Sequence, residues 1–528
     1  MDAQTLAKTL PEQKIEFLPF SSLSQLLQLS DPPLMRDGFP QLAYIERYLR
    51  KADPKCLSVV VERYYIDRDF IADFSAFYST SLYSYPNWCQ RIHFFSIEKR
   101  EVRRRLRDLA RLGADDEARG GVAYQRACEA FSEEAYMGFS VIKPLQGSPV
   151  GRTVLRHYKE DAGQGLLRKF NCTRHYKTNL LGIELTVCGL VFQQQDVGVS
   201  ACATTAVWSS LSKTKDFEDI STPTPAQITK LASQYLLPFG RSMPSEGLSV
   251  GQMCQAIQAN RVSPNLIRVD TLNNGRGYIH SAVLSGFAPI LVLENVSNSG
   301  AFHAVTVAGM KIRAKHRPTI IEGWIDDEAG DVVSIYVHDD RSSPYFRADF
   351  PKSGKQPILS FRIENDAGDV GFIERWQLRH VLVPIHDKIR LSFSSLREIT
   401  VEVFKIVQAC SEAYASLISP IDVGKVRFRN AILRGPIYVQ HLFYGKQRIR
   451  ELARDAFNKT ILLSRYVGVA RLSGDSFGSV DVLFDTTSTL KNPHCLGVVA
   501  RTNKEDFAWL LVEFLCERLK CPGIVDAD

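Results

Sequence analysis

Gln193-Gln194-Gln195-Asp196-Val197-Gly198-Val199-Ser200-Ala201-Cys202-Ala203-Thr204-Thr205-Ala206-Val207-Trp208 decides the reading of this chain, because it sets a cysteine where a strand gives way to a helix. Upstream, Ile183, Leu185, Val187 and Val191 interleave with Glu184 and Thr186, as in a half-buried strand. Downstream, residues 202–212 are rich in Ala and small polar residues and hold neither Gly nor Pro, so a turn at Gly198 leads into a helix headed by Cys202. The first turn of a helix offers unpaired N–H groups and the positive end of the macrodipole, which favour thiolate over thiol. An amide side chain just upstream can donate to a developing oxyanion.

One cysteine among eleven is by default a small buried apolar residue, so the assignment needs partners. Two downstream segments supply them. Ser299-Gly300-Ala301-Phe302-His303-Ala304-Val305-Thr306-Val307-Ala308-Gly309 places a histidine after a glycine turn, at the mouth of a β-branched strand. Val332-Val333-Ser334-Ile335-Tyr336-Val337-His338-Asp339-Asp340-Arg341 reads as a strand ending in two carboxylates. Taken singly, the histidine reads as structural and the acids as turn residues before Ser342-Ser343-Pro344. Taken together and in this order, they form the set that a cysteine nucleophile requires.

These segments resemble the papain-like cysteine peptidases, and within them the peptidase C39-like group. The resemblance rests on Gln-x6-Cys-Ala, on Gly-x-x-His-Ala-Val-Thr-Val-x-Gly and on the strand ending His-Asp-Asp, and it spans roughly residues 180–350. It implies an α+β fold with a papain-like core, helices packed on an antiparallel sheet. It also implies Cys202 as nucleophile, His303 as general base and acid, Asp339 as orienting carboxylate and Gln195 as oxyanion donor, with no cofactor and no metal. The usual Cys-Gly-Pro is replaced by Cys202-Ala203-Thr204, and the connection from the His strand to the Asp strand is longer than in that group. Register within a loop leaves Gln194 open in place of Gln195, and Asp340 in place of Asp339. If the strand continues, Asp340 points to the face opposite Asp339. The reaction implied is hydrolysis of an amide in a peptide or protein substrate. An acyl transferase or amidase on the same scaffold, and a binding protein that keeps only the fold, are the competing classes.

Composition bounds the rest. With 528 residues and 45% hydrophobic content, the chain can bury a large core divided among several domains. The reading divides it into residues 1–135, mostly helical; 136–390, the catalytic core; and 391–528, an α+β unit, with a protein partner for one of the flanking regions. Met1 to Lys14 is polar and mixed in charge, no apolar run is long enough to span a bilayer, and the cysteines are scattered and odd in number. Reduced thiols and a cytoplasmic location are therefore expected. A net charge of +7 is mild for this length and leaves nucleic acid a minor alternative. Lys99 to Arg111, the densest basic run, carries Val102, Leu106 and Leu109 at helical spacing and reads as a solvated amphipathic face.

Outside the core, short helices are expected over Phe20–Leu29 and Phe39–Lys51, an aromatic-rich helix over Tyr64–Tyr78, a loop over Gly113–Gly121, a helix over Ala123–Ala135 and a strand from Tyr136. Asp69 and Asp73 share a helix face and are expected to pair with Arg63 or the basic helix rather than with a metal. His157, Cys172, His175 and Cys188 include a Cys-x2-His pair, but Cys188 reads as core and no Cys-x2-Cys supports a zinc site. Asp219–Pro225 is expected to be loop, Ser249–Asn260 a helix capped by Ser249, and Asn273-Asn274-Gly275-Arg276-Gly277 a flexible loop. In the tail, helices are expected over Leu396–Ser416 and Phe507–Leu519, and strands over Arg465–Leu472, Val480–Phe484 and Leu496–Ala500. Arg465 and Arg471 read as surface or partner contacts.

Overall fold

A computed structural model describes residues 14–23, 39–114, 121–145, 147–196, 202–214, 221–234, 247–321, 325–364, 370–414, 426–442, 457, 459–474, 477–488, 493–502 and 505–527. The Gly198 turn, most of the expected helix over Phe20–Leu29, the centre of the Gly113–Gly121 loop and the start of the Asp219–Pro225 loop lie outside the described residues.

The N-terminal region carries a sheet in addition to its helices. Strands β1 (Ile15–Pro19), β2 (Ser58–Tyr65), β3 (Cys89–Phe95), β4 (Tyr136–Ile142) and β5 (Val150–Leu155) form a five-stranded antiparallel meander. Helices α1 (Pro40–Lys51), α2 (Arg68–Ala76), α3 (Lys99–Ala114) and α4 (Val122–Ala135) connect its strands. β3 and β4 are buried along their whole length. Strands covered on both faces lose the alternation that marks them in sequence, so β3 carries no period-2 signal. The helix expected over Tyr64–Tyr78 begins only at Arg68, because Asp67 caps it: its Oδ1 accepts from the backbone N–H of Asp69 at 2.9 Å and of Phe70 at 3.1 Å. Since β4 and β5 complete this sheet, no structural boundary falls at residue 135. The basic helix α3 buries Val102, Leu106 and Leu109 as its pattern requires and pairs its arginines with Glu101, Asp108 and Glu134.

After the short β6 (Leu166–Lys169) comes a two-stranded hairpin, β7 (Arg174–Leu180) and β8 (Ile183–Gly189). Helices α5 (Cys202–Thr214), α6 (Pro225–Ala232), α7 (Val250–Ala259) and α8 (Leu272–Leu284) then accompany a second antiparallel sheet. Its main strands are β9 (Val262–Arg268), β10 (Ile290–Asn295), β11 (Phe302–Arg313), β14 (Val332–Asp339), β15 (Ser343–Asp349), β16 (Ile358–Glu364) and β17 (Val370–His386). β10 pairs with both β11 and β17, so β10, β11, β14, β15, β16 and β17 close into a ring. β6 and β9 attach to its sides. Asn273–Gly277 belongs to α8 and is not a loop: Thr271 caps the helix, and its glycines let neighbours approach. A Cβ at Gly277 would stand 2.4 Å from Nη1 of Arg397. Ser249 caps α7 in a capping box with Gln252.

A third sheet gathers β12 (Ile320–Ile321) and β13 (Ile325–Asp327) with β18 (Arg427–Arg434), β19 (Tyr466–Gly474), β20 (Gly478–Asp485), β21 (Cys495–Thr502) and β22 (Gly523–Ala527). Helices α9 (Phe393–Ala413), α10 (Gly435–Leu442) and α11 (Glu505–Leu519) accompany it. β13 lies within the central span, yet pairs in parallel with β18. Arg471 is part of this structure, its Nη2 donating to Asp481 Oδ2 at 2.6 Å, whereas Arg465 is exposed. The class is thus mixed α+β with antiparallel sheets. Among the described residues, no helix is long and apolar enough to cross a membrane.

Candidate functional site

α5 runs through the interior: every side chain from Ala203 to Thr214 is buried, although seven of the twelve are polar. Such a helix is tolerable only if its hydroxyls find partners. Ser209 donates to the Val191 carbonyl at 2.7 Å, Ser210 to that of Ala288 at 2.5 Å and Thr205 to that of Cys202 at 2.9 Å. From the neighbouring strand, Thr306 of β11 donates to Ala206 O at 2.8 Å. These bonds fix the helix against β11, and the partly exposed Cys202 heads it.

β10 and β11 form a hairpin whose turn includes Gly300 at φ +91°, a conformation that suits glycine. The hairpin places His303 opposite Leu293, and the imidazole is buried. Nε2 of His303 lies 3.0 Å from Oδ1 of Asp339, the last residue of β14. The Cys202 thiol is near enough to the same imidazole to help raise its pKa through hydrogen bonding. With Nε2 committed to the carboxylate, Nδ1 is left for the sulfur. Residues from three distant segments thus meet at one ring. Trp376 of β17 packs beside it at 5.6 Å between ring centroids, and Arg341 lies over Trp376.

The two neighbouring acids differ sharply. Asp339 is buried but saturated: besides His303, Oδ1 accepts from Arg341 N at 3.0 Å and Oδ2 from the Ser342 hydroxyl at 3.2 Å. Burial would raise its pKa, but the charge and hydrogen bond of His303 and the charge of Arg341 win and hold it below the usual range. Burial alone would likewise lower His303, yet Asp339 and the Cys202 hydrogen bond raise it above an ordinary histidine. Asp340 is buried, neither of its oxygens has a hydrogen-bond partner among the described residues, and its Oδ1 lies 3.8 Å from His303 Nε2. Asp340 would face away only if the strand continued, and it does not. β14 ends at Asp339 and the chain turns, so strand alternation no longer governs the next side chain. Burial, with Asp339 adding to it and His303 opposing, pushes Asp340 up to about 7. His338 is a structural neighbour: it donates from Nδ1 to the Val191 carbonyl at 3.0 Å, and burial pushes it down to about 3.

Upstream of the thiol, Gln194 pairs with β5: its N–H donates to Val150 O at 3.0 Å and its Oε1 accepts from Val150 N at 3.2 Å. Gln195 is exposed. Gln193 is buried, and among the described residues its Nε2 has no hydrogen-bond partner. Nothing in the run of three glutamines singles out Gln193, because burial is what distinguishes it from Gln195.

His303, Asp339 and Asp340 also form a group whose ligand atoms lie within 4.8 Å of one another and could hold a cation. A cation on Nε2 would displace the His303–Asp339 hydrogen bond, so the two uses exclude each other. The other metal-like set is dispersed into separate bonds: Cys172 donates to Phe287 O at 3.0 Å, His157 Nδ1 meets Tyr158 O at 2.8 Å, and Cys188 bonds to Thr173. Asp69 and Asp73 do not reach Arg63, which pairs with Glu16. Asp69 lies 3.9 Å from Arg152, and Asp73 accepts from the Ala226 N–H at the start of α6. Compared with models of known protein families and with curated proteins, the chain matches none of them.

Proposed function

We propose that this protein is a papain-like cysteine hydrolase that cleaves an amide bond in a peptide or protein through Cys202, His303 and Asp339. The observation that carries the reading is the His303 imidazole held between the Asp339 carboxylate and the thiol that heads α5. A histidine raised above its ordinary value beside a thiol at a helix N-terminus is the arrangement that a cysteine nucleophile and its base require. The strand ring on one side of α5 and the helices on the other are compatible with a papain-like core.

In the proposed reaction the Cys202 thiolate adds to the amide carbonyl and the Cys202 N–H and Gln195 side chain stabilise the oxyanion. His303 gives its proton to the leaving amine as the C–N bond breaks, leaving a thioester. It then takes a proton from water as that water attacks, and the acid product departs with the thiol restored. Asp339 keeps the imidazole oriented throughout and stays ionised. The saturated bonding of Asp339 favours it over Asp340 in this role.

Incubation with a diverse peptide mixture, read by mass spectrometry, tests the proposal. Cleavage is expected with the native chain and not with Cys202→Ala or His303→Ala. Product that forms only when an amine acceptor is supplied would identify a transferase instead, and no turnover of either kind would leave a binding protein.

A further inference from the structure

A cavity of about 620 Å³ lies between the first sheet, the β7–β8 hairpin and the side of α5. On α5 it is lined by Trp208 and Ser212, six and ten residues past Cys202 and so about 9 and 15 Å along the helix axis from the thiol. It is a separate site. Its wall holds five cations, Arg68, Arg91, Arg152, Arg174 and Lys177, and among the described lining residues Asp69 is the single carboxylate.

Three of these arginines are held against aromatic rings of the same wall. The Arg91 guanidinium stands 3.9 Å over the Tyr65 ring, Arg174 stands 4.0 Å over Tyr176 and Arg152 stands 5.8 Å over Phe139. Stacking fixes the plane of a guanidinium and leaves its edges to donate. Carboxylates behind the wall hold some of the cations in place: Glu62 pairs with Arg91, Asp67 with Arg152 at 2.7 Å and Glu184 with Lys177 at 2.8 Å. Donors remain even so. Among the described residues, Arg152 Nε is buried with no hydrogen-bond partner, Asp69 Oδ2 standing 3.9 Å away, and Arg68 has a carbonyl, Thr222 O, as a partner. Preorganised guanidinium edges match the oxygens of phosphate, and aromatic walls match a planar ring. The volume falls in the range of small-molecule sites.

We propose that this cavity binds an organic phosphate of nucleotide size, its phosphates on the arginines and its planar ring against the aromatic wall. The inference does not depend on the hydrolase reading. Isothermal titration calorimetry on the full chain, with ADP, pyrophosphate and adenosine as probes, tests it, and the melting temperature of each unliganded variant reports folding. The expected result is one ADP per chain, bound more tightly than either fragment. Arg174→Gln and Arg68→Gln should each weaken it roughly tenfold or more, while Arg268→Gln, on β9, should leave it unchanged. Arg68 and Arg174 lie on different elements, so if one variant fails to fold the other still decides. Absence of ADP binding, or ADP affinity unchanged in a folded Arg174→Gln or Arg68→Gln variant, would overturn the assignment. So would adenosine or pyrophosphate binding as tightly as ADP, since the ring and the phosphates would then not be recognised together.

Discussion

Asp339 and Asp340 are chemically identical neighbours, and the fold gives them opposite tasks. Asp339 spends its oxygens on His303, Arg341 N and Ser342, whereas Asp340 is buried with no such partner among the described residues. Asp339→Asn should therefore lower turnover by orders of magnitude with little effect on expression or folding, as steady-state kinetics with a cleaved peptide would show. Asp340 should instead reveal itself in stability. Its folded pKa, about 7, lies above the unfolded value, so its contribution is full below about pH 4 and is lost as pH rises through about 7. Asp340→Asn should thus gain on the native chain between pH 4 and pH 8, by on the order of 2–4 kcal/mol in urea unfolding. A difference independent of pH would mean that Asp340 is not buried without a partner. The sequence made the His-Asp-Asp ending legible because a strand and a turn signal bracket it. The choice between the acids was not legible, because it depends on where β14 stops and which carboxylate meets Arg341 N and Ser342.

At the scale of elements, α5 was readable from its Ala-rich pattern and lack of breakers, but its complete burial was not, since its hydroxyls look solvent-facing until their carbonyl partners on other elements are known. Thr306→Val keeps the shape of β11 and removes only the bond to Ala206 O. It should cost about 1 kcal/mol in denaturant unfolding and reduce turnover, because it loosens the contact between the strand carrying His303 and the helix carrying Cys202. The helix over Leu272–Leu284 shows the reverse difficulty. Asn-Asn-Gly-x-Gly has the composition of a loop, and the glycines are there for close packing. Gly277 adjoins the Arg397 guanidinium, itself buried and paired with Asp327 at 2.5 Å. Gly277→Ala, although it favours helix locally, should destabilise the protein by about 1–3 kcal/mol; a rise in melting temperature would show that Arg397 moves aside freely.

For the whole molecule, β19, β20 and β21 of the tail were legible because they alternate and their turns carry Gly and Asp, while β3 of the N-terminal sheet was hidden by burial on both faces. Pairing between distant segments was beyond reach: β4 and β5 complete a sheet begun by β1, and β13 pairs with β18 from the tail. A chain beginning at residue 136 would expose the edge that β3 covers, and should fail to give a cooperative thermal transition by circular dichroism. The central claim concerns one thiol within this framework. Burial raises Cys56, Cys172 and Cys410 to about 12, 12 and 11, which makes them poor competitors for an alkylating agent, whereas the partly exposed Cys188 serves as an internal comparison. The most direct test is the rate of Cys202 alkylation by iodoacetamide from pH 5 to 9, mapped by mass spectrometry in the native chain and in His303→Ala. The account predicts that Cys202 reacts first among the cysteines, already does so near pH 6, and loses that low-pH reactivity in His303→Ala. Alkylation of Cys202 that rises only near the pKa of a free thiol, with the same profile in both proteins, would contradict it.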